Sequence, residues 1–144
     1  MSHPTPREVF ERLVEGVCAA DPELHLLYAE SIDVRHPLWP GEPLRTREEL
    51  RKHFAGPPDS KADPIERRPV DIVVHETGDP EVIVAEFAYA GRNLRTGREF
   101  RVPCVFVMRV RDGLIVESRD YIDHVGSAAA RGMFEEAVAL RRGQ

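Results

Sequence analysis

The chain has 144 residues, of which 42% are hydrophobic and 31% are charged, with a net charge of −5 at pH 7. This size and composition predict one globular domain over residues 1–144, with a core of useful size. The acidic balance, without a basic stripe, argues against a nucleic-acid partner, and no apolar stretch is long enough to predict a membrane span.

The two cysteines, Cys18 and Cys104, lie in apolar segments and lack the spacing of metal ligands. Two cysteines do not make a disulfide framework, and the N-terminal residues show no secretory pattern. We therefore expect a cytoplasmic protein. Cys104 is a candidate nucleophile, although a buried structural thiol is the simpler interpretation.

The first half of the chain shows helix signals. Thr5-Pro6-Arg7-Glu8 is a capping box with proline at the first helical position, and it predicts a helix over 5–19. Asp21-Pro22-Glu23 predicts a second helix over 21–29, and Ser31 to Arg35 is a short candidate strand. Thr46-Arg47-Glu48-Glu49 is another capping box, which predicts a helix over 46–55.

The second half indicates strands. After a predicted long loop over 55–69, rich in proline and charge, the candidate strands are 70–76, 82–90, 100–110 and 114–123, followed by a helix over 127–141. Hairpin-length connections favour antiparallel pairing. This order of elements predicts an α+β fold in which a curved antiparallel sheet wraps around the N-terminal helices as a cone with a cavity.

Asp112-Gly113 lies between two apolar runs and predicts a two-residue hairpin turn. That turn would place Val105 opposite Asp120 and Val107 opposite Ser118, on one face of the sheet. A lone carboxylate on an apolar face is costly unless it is paired or functional. Asp120 is therefore a candidate acid/base group inside the cavity. The alternative is a surface ion pair with a neighbouring arginine, Arg119 or Arg109.

The order helix–helix–strand–helix–four strands, ending in the run D-G-L-I-V-E-S-R-D-Y-I-D over 112–123, resembles the nuclear transport factor 2-like cone fold. More narrowly, residues 5–130 are similar to the SnoaL-like polyketide cyclase and ketosteroid isomerase branch. The resemblance implies a fold that hosts isomerases, cyclases, hydrolases, dehydratases and non-catalytic binders. It also implies a homodimer formed through the sheets, in agreement with the large apolar residues on both faces of the last hairpin.

Residues 34–43, V-R-H-P-L-W-P-G-E-P, are similar to the ketosteroid isomerase segment that carries the catalytic base. The resemblance places His36 at the position of that aspartate. It places Leu13 and Val105 where those enzymes have a tyrosine and a protonated aspartic acid that hold the enolate oxygen. Without these donors, steroid isomerisation is disfavoured.

Two further segments, Asp79 to Glu86 and Glu49 to His53, resemble the phenazine-biosynthesis A/B proteins. This resemblance places His53 at their catalytic histidine and Asp120 at their acid/base glutamate. Aspartate is shorter than glutamate by one methylene group, so its reach differs.

These arguments predict three catalytic residues, Asp120, His53 and His36. The predicted ligand-binding residues are Trp39, Phe54, Glu86, Val105, Val107, Ser118 and Ile122. For each histidine a structural role at the end of its element stays an alternative, and for Glu86 the alternative is an outward pair with an arginine such as Arg109. Strand alternation puts Asp123 on the face opposite Asp120. The histidines at 36, 53 and 124 lack HxH or HExxH spacing, so we expect no metal and no cofactor.

Two functions fit these patterns. The first is a cofactor-independent enzyme of secondary metabolism that performs acid/base chemistry on a hydrophobic carbonyl metabolite, by isomerisation, cyclisation, condensation or dehydration. Asp120 would move a proton while a histidine holds or protonates an oxygen. The second is a non-catalytic ligand-binding or assembly module that uses the same cavity. Several titratable side chains converging on one cavity would favour the enzyme.

Overall fold

A curved, open sheet of six strands organises the molecule. The computed structural model describes residues 2–143. The strands are β1 (Tyr28–Arg35), β2 (Leu44–Thr46), β3 (Ile65–Glu76), β4 (Val82–Asn93), β5 (Glu99–Arg111) and β6 (Leu114–Ile122). They lie in the order β2-β1-β6-β5-β4-β3. β1 and β6 run parallel, and the other neighbouring strands are antiparallel.

Helices flank the sheet. They are α1 (Pro6–Cys18), a 3₁₀ helix (Leu24–Leu27), α2 (Arg47–Ala55), α3 (His124–Ala130) and α4 (Phe134–Arg141). The predicted capping boxes begin α1 and α2, because the hydroxyl oxygens of Thr5 and Thr46 accept the backbone N–H groups of Glu8 and Glu49 at 3.2 and 3.1 Å. No helix among the described residues is long and apolar enough to cross a bilayer.

An aromatic cluster joins α1 to the concave face of the sheet. Phe10 of α1 meets Phe87 of β4 and Phe106 of β5 edge to face, with ring centroids 5.2 and 6.3 Å away. Phe87 and Phe106 also meet each other, at 5.0 Å. Such perpendicular contacts add to the free energy gained from burying the rings. The predicted α+β cone is therefore confirmed.

The predicted helix over 21–29 is wrong beyond its middle. Leu24–Leu27 forms one 3₁₀ turn, and Tyr28 already begins β1 opposite Ile115 of β6. Tyr28 is buried there, so the tertiary pairing of a large aromatic residue overrides a local helix signal. The short Leu44–Thr46 strand was not predicted.

Two other boundaries differ from the sequence prediction. The loop over 55–69 is shorter than predicted, because β3 begins at Ile65 and includes Pro69. Proline fits there because β3 is an edge strand, where one missing N–H leaves no neighbouring strand unpaired. The predicted helix over 127–141 is interrupted at Gly132, whose φ of +72° separates α3 from α4.

The predicted register of the last hairpin is also wrong. Phe106, not Val105, lies opposite Asp120, and Met108 lies opposite Ser118. The pairing shifts by one residue between Arg109 and Val110, which is a β-bulge carrying an extra residue on β6. As a result the even-numbered residues of β5 face the core, and Val105 faces outward.

A strip of apolar side chains remains on the outer face of the sheet. Val73, Val105 and Tyr121 share this face through the pairing of β3 to β6, and Val73 is 50% exposed. The homodimer stays a prediction, and this strip is the surface that a second copy would cover.

We expect sedimentation of a dimer at micromolar concentration and of a monomer for Val73→Arg. Leu94→Arg, an exposed position in the β4–β5 connection, is the control that should stay dimeric, and a monomeric wild type would contradict the prediction.

Candidate functional site

A cavity of about 440 Å³ lies between the concave face of the sheet and helices α1 and α2. Leu13 of α1, Tyr28 of β1, Tyr89 of β4 and Phe106 of β5 form much of its wall. Residues of the loop over 56–62 lie at its edge. This is a largely apolar and aromatic enclosure with a few polar groups, as in pockets that bind small metabolites.

Asp120 projects from β6 into this cavity, with only 7% of its surface exposed. The Ser118 hydroxyl donates a hydrogen bond to Asp120 Oδ1 from two residues earlier on the same face. Burial raises the pKa of Asp120 to about 7, and the Ser118 hydrogen bond opposes that rise without cancelling it. A carboxyl group with this pKa exchanges its proton readily near neutral pH.

His36 and His53 lie beside Asp120 in the same cavity. His36 follows the end of β1, and its Nε2 is 3.8 Å from Asp120 Oδ2, which is too far for a direct hydrogen bond. His53 lies in the last turn of α2, and the two imidazole rings are 5.1 Å apart between centroids. The structure therefore brings together all three residues that the sequence predicted as catalytic.

Burial keeps these two histidines uncharged at neutral pH. Burial, and then the neighbouring His53 and His124, lower the pKa of His36 to about 4. Burial also lowers the pKa of His53. An unperturbed imidazole titrates near neutrality, but His36 is a neutral hydrogen-bonding group at pH 7. Asp120 is the group that titrates there.

Two tyrosines add polar groups that the sequence analysis missed. Tyr28 and Tyr89 line the cavity, and neither hydroxyl makes a hydrogen bond to another side chain or backbone group among residues 2–143. Burial is the main cause that raises the pKa of both phenols, so both stay protonated donors at neutral pH. The available signal was Tyr89 alternating with Phe87 and Ala85 on the apolar face of a strand.

The predicted ligand-binding residues divide between two faces of the sheet. Phe54 and Ile122 line the cavity, and Ser118 supports Asp120 without lining it. Val105 and Glu86 instead line a depression on the outer face, so their predicted placement inside the cone is wrong. Val107 shares that outer face through its pairing with Arg119, and its predicted placement is also wrong. The one-residue bulge explains why both valines lie on the outer face and not inside the cone.

Glu86 points outward and pairs with another side chain, which was the alternative to a ligand-binding role. Its Oε2 lies 2.6 Å from His75 Nε2 across the β3–β4 pair. The predicted partner, Arg109, instead donates to Asp79, Glu81 and Glu117.

Trp39 also belongs to the outer depression. Its ring stacks on His124, the first residue of α3, with centroids 5.1 Å apart. Asp123 caps α3 by accepting the N–H of Gly126 at 2.9 Å and takes no part in the cavity. No three His, Cys, Asp or Glu side chains of residues 2–143 are grouped to hold a metal ion. Burial raises the pKa of the Cys104 thiol to about 12, which fits the structural interpretation of this cysteine.

Comparison with known proteins places the chain in a family. Residues 10–118 match the family model described as a SnoaL-like domain. The chain belongs to the SnoaL-like domain family. The matched residues run from within α1 to Ser118 in β6, so they include His36 and His53 and end before Asp120. A search of curated proteins finds no match.

Solved structures share the SnoaL-like fold of this chain. A candidate isomerase from Bacillus subtilis aligns with a TM-score of 0.74 and 22% identity, over 88% of this chain and 91% of its own. IdmH, a candidate polyketide cyclase from Streptomyces antibioticus, gives 0.62 and 26% identity over 88% and 98%. A phenazine biosynthesis-related protein from Pseudomonas aeruginosa gives 0.61 and 19% identity over 88% and 80%.

The raised pKa of Asp120 predicts a pH-dependent stability. The unfolded chain ionises this group near pH 4, whereas the folded protein does so near pH 7, so the folded state loses stability as pH rises between these values. Asp120→Asn keeps the acceptor for Ser118 and removes the charge. Relative to that of the wild type, we expect the free energy of unfolding of this variant to increase by up to about 4 kcal/mol as the pH rises from 4 to 8.

Urea unfolding at a series of pH values measures this difference. Asp59→Asn, in the exposed loop before β3, is the control and should follow the wild-type profile. A constant difference between Asp120→Asn and the wild type would show that the carboxyl group is not desolvated.

Proposed function

We propose that this protein is a cofactor-independent enzyme that moves a proton at a carbon next to a carbonyl group in a hydrophobic metabolite. Isomerisation, cyclisation, condensation and dehydration all begin with this step. The observation that carries the proposal is Asp120, a buried carboxyl group with a pKa of about 7 that faces an aromatic cavity.

In the proposed step, the ionised Asp120 removes the proton from carbon, and the C–H electron pair becomes an enolate. The Asp120 carboxyl group then holds that proton. It returns the proton to another carbon in an isomerisation, or to the oxygen formed when the enolate carbon attacks a second carbonyl in a cyclisation. The side chains that enclose the cavity limit the access of water to these transfers.

Neutral donors are available for the enolate oxygen. Tyr28 and Tyr89 present protonated hydroxyls to the cavity that holds Asp120, and neither has a hydrogen-bond partner among residues 2–143. Preorganised donors aimed at a developing negative charge lower the activation barrier. The resembled isomerases hold the enolate oxygen with donors at the positions of Leu13 and Val105, which have none here. In this proposal the two tyrosines hold that oxygen instead. Neutral His36 and His53, which line the same cavity as Asp120, would position or relay a proton.

The family gives independent support for this chemistry. The chain belongs to the SnoaL-like domain family, and IdmH, with the same fold, is named as a candidate polyketide cyclase. Another structure of this fold is named as a candidate isomerase. Both names describe rearrangements of carbon skeletons or double bonds, which fit a proton-transfer cavity.

The proposal is tested by proton transfer itself, because deuterium reports the step without knowledge of the substrate. A metabolite extract from a polyketide-producing bacterium is incubated in D2O with wild-type protein, and mass spectrometry records compounds that gain deuterium or are consumed. We expect such compounds with the wild type and a loss of about 100-fold or more in their rate with Asp120→Asn. Glu86→Gln, which changes an outward carboxylate, should keep the wild-type rate.

A second function from another class keeps one observation in its favour. Leu13 offers no hydrogen bond at the position where the resembled isomerases hold an oxyanion, which fits a non-catalytic ligand-binding module. In that case Asp120→Asn would still retain compounds from the extract on the purified protein, and no deuterium would enter with the wild type. That pair of results would replace the enzyme with the binding module.

A further inference from the structure

Two arginines line the cavity away from Asp120. Arg67 projects from β3, with its guanidinium carbon 4.6 Å from the centroid of the Tyr89 ring. Arg131 follows α3 and lines the same cavity. Among the residues that the structure describes, neither arginine is within 4.0 Å of a carboxylate oxygen.

The neighbouring carboxylates are already in use. Asp63 accepts hydrogen bonds from the side chains of Arg95 at 2.7 and 3.1 Å and of Asn93 at 2.9 Å. Glu66, next to Arg67 on the strand, binds Arg92 at 2.8 Å across the β3–β4 pair. These acids therefore hold other cationic or amide partners, and the two cavity arginines are left without one.

The two guanidinium groups repel each other electrostatically. Burial, and then the positive charge of Arg67, lower the pKa of Arg131. Two cations that share a poorly hydrated space raise the free energy of the empty protein. A bound anion would offset that cost, and a planar carboxylate matches the fork of an arginine with two parallel hydrogen bonds.

Asp120 is not that anion. Its pKa is set by burial and by Ser118, with no contribution from either arginine. In the strand order β6-β5-β4-β3, Tyr89 of β4 lies between Asp120 of β6 and Arg67 of β3, whose guanidinium group contacts the Tyr89 ring. The cavity thus has a cationic end, an aromatic middle and an acidic end.

We propose that the ligand of this cavity carries a carboxylate group, which binds Arg67 and Arg131 while the rest of the molecule extends past Tyr89 toward Asp120. Calling this ligand the substrate rests on the proposed function; the anion site itself does not. The substrate class is then narrowed from a hydrophobic carbonyl compound to a carbonyl compound that also bears a carboxylic acid.

The test compares three probes that differ only in the head group: naphthalene-2-carboxylate, naphthalene-2-carboxamide and 2-naphthyl phosphate. Isothermal titration calorimetry at pH 7.5 and low salt measures their affinities. We expect the carboxylate to bind the wild type about tenfold or more tightly than the amide, because the hydrogen bonds are charge-assisted. This preference should fall to near unity in Arg67→Gln and in Arg131→Gln, and Arg131→Lys should keep part of it.

Arg68→Gln, at the next and exposed position of β3, is the matched control and should keep the full preference. Circular dichroism establishes that each variant is folded. Equal affinity for carboxylate and amide, no binding of the carboxylate, or a preference that survives in the glutamine variants would overturn the proposal. Tighter binding of the phosphate would assign a phosphate ligand and would likewise overturn it.

The same probes separate this inference from the proposed function. A carboxylate preference without deuterium transfer from any metabolite would reject the enzyme and keep the anion site. Deuterium transfer without a carboxylate preference would keep the enzyme and reject the anion site.

Discussion

The site depends on one extra residue in β6. The turn at Asp112-Gly113 starts the hairpin in the register that a two-residue loop imposes, and the bulge between Arg109 and Val110 then offsets the strands by one position. Because side chains alternate between faces, this offset exchanges the two faces of the rest of β6. Asp120 and Ser118 turn toward the cavity, and the charged residues Glu117 and Arg119 turn toward solvent. With a regular hairpin, Asp120 would lie on the outer face beside Val105.

Burial acts in opposite directions on the titratable groups of the cavity. Removal from water disfavours a charge of either sign, so the pKa of Asp120 rises to about 7 while that of His36 falls to about 4. Between about pH 4 and pH 7 both groups are mostly uncharged, although they are 3.8 Å apart. The pair is therefore a neutral acid beside a neutral imidazole rather than an ion pair. One enclosure sets both charge states.

Much of the fold is readable from local signals. The capping boxes at Thr5 and Thr46 set α1 and α2 because an N-cap hydrogen bond is made within four residues. The signal at Asp21 is equally local, and it failed because Tyr28 gains more from burial against the sheet than from another helical turn. The bulge in β6 was not predicted because no glycine or turn residue in the sequence marks its position. Asp120 was placed correctly inside the cavity, but with the wrong neighbours.

The site residues were harder to predict than the elements. Asp120 was predicted because a lone carboxylate stands out in an apolar run, whereas His36 and His53 were predicted from the family resemblance. Tyr89 did not stand out, since a tyrosine in a strand is ordinary core material until its hydroxyl is known to lack a partner. The two arginines were missed for a related reason. Whether an arginine is paired depends on contacts between distant strands, such as Arg95 with Asp63.

The parallel pairing of β1 with β6 has a consequence for how the protein folds. The hairpins from β3 to β6 form between near neighbours in sequence, whereas β1 must find β6 across most of the chain. Closing so long a loop costs conformational entropy before any contact repays it, so this pairing belongs to the late stage of folding. Tyr28 and His36 reach Asp120 only through it. A chain in which β3 to β6 have paired but β1 has not yet joined β6 would have a sheet and no complete site. Ligand binding would therefore measure the completion of this last pairing.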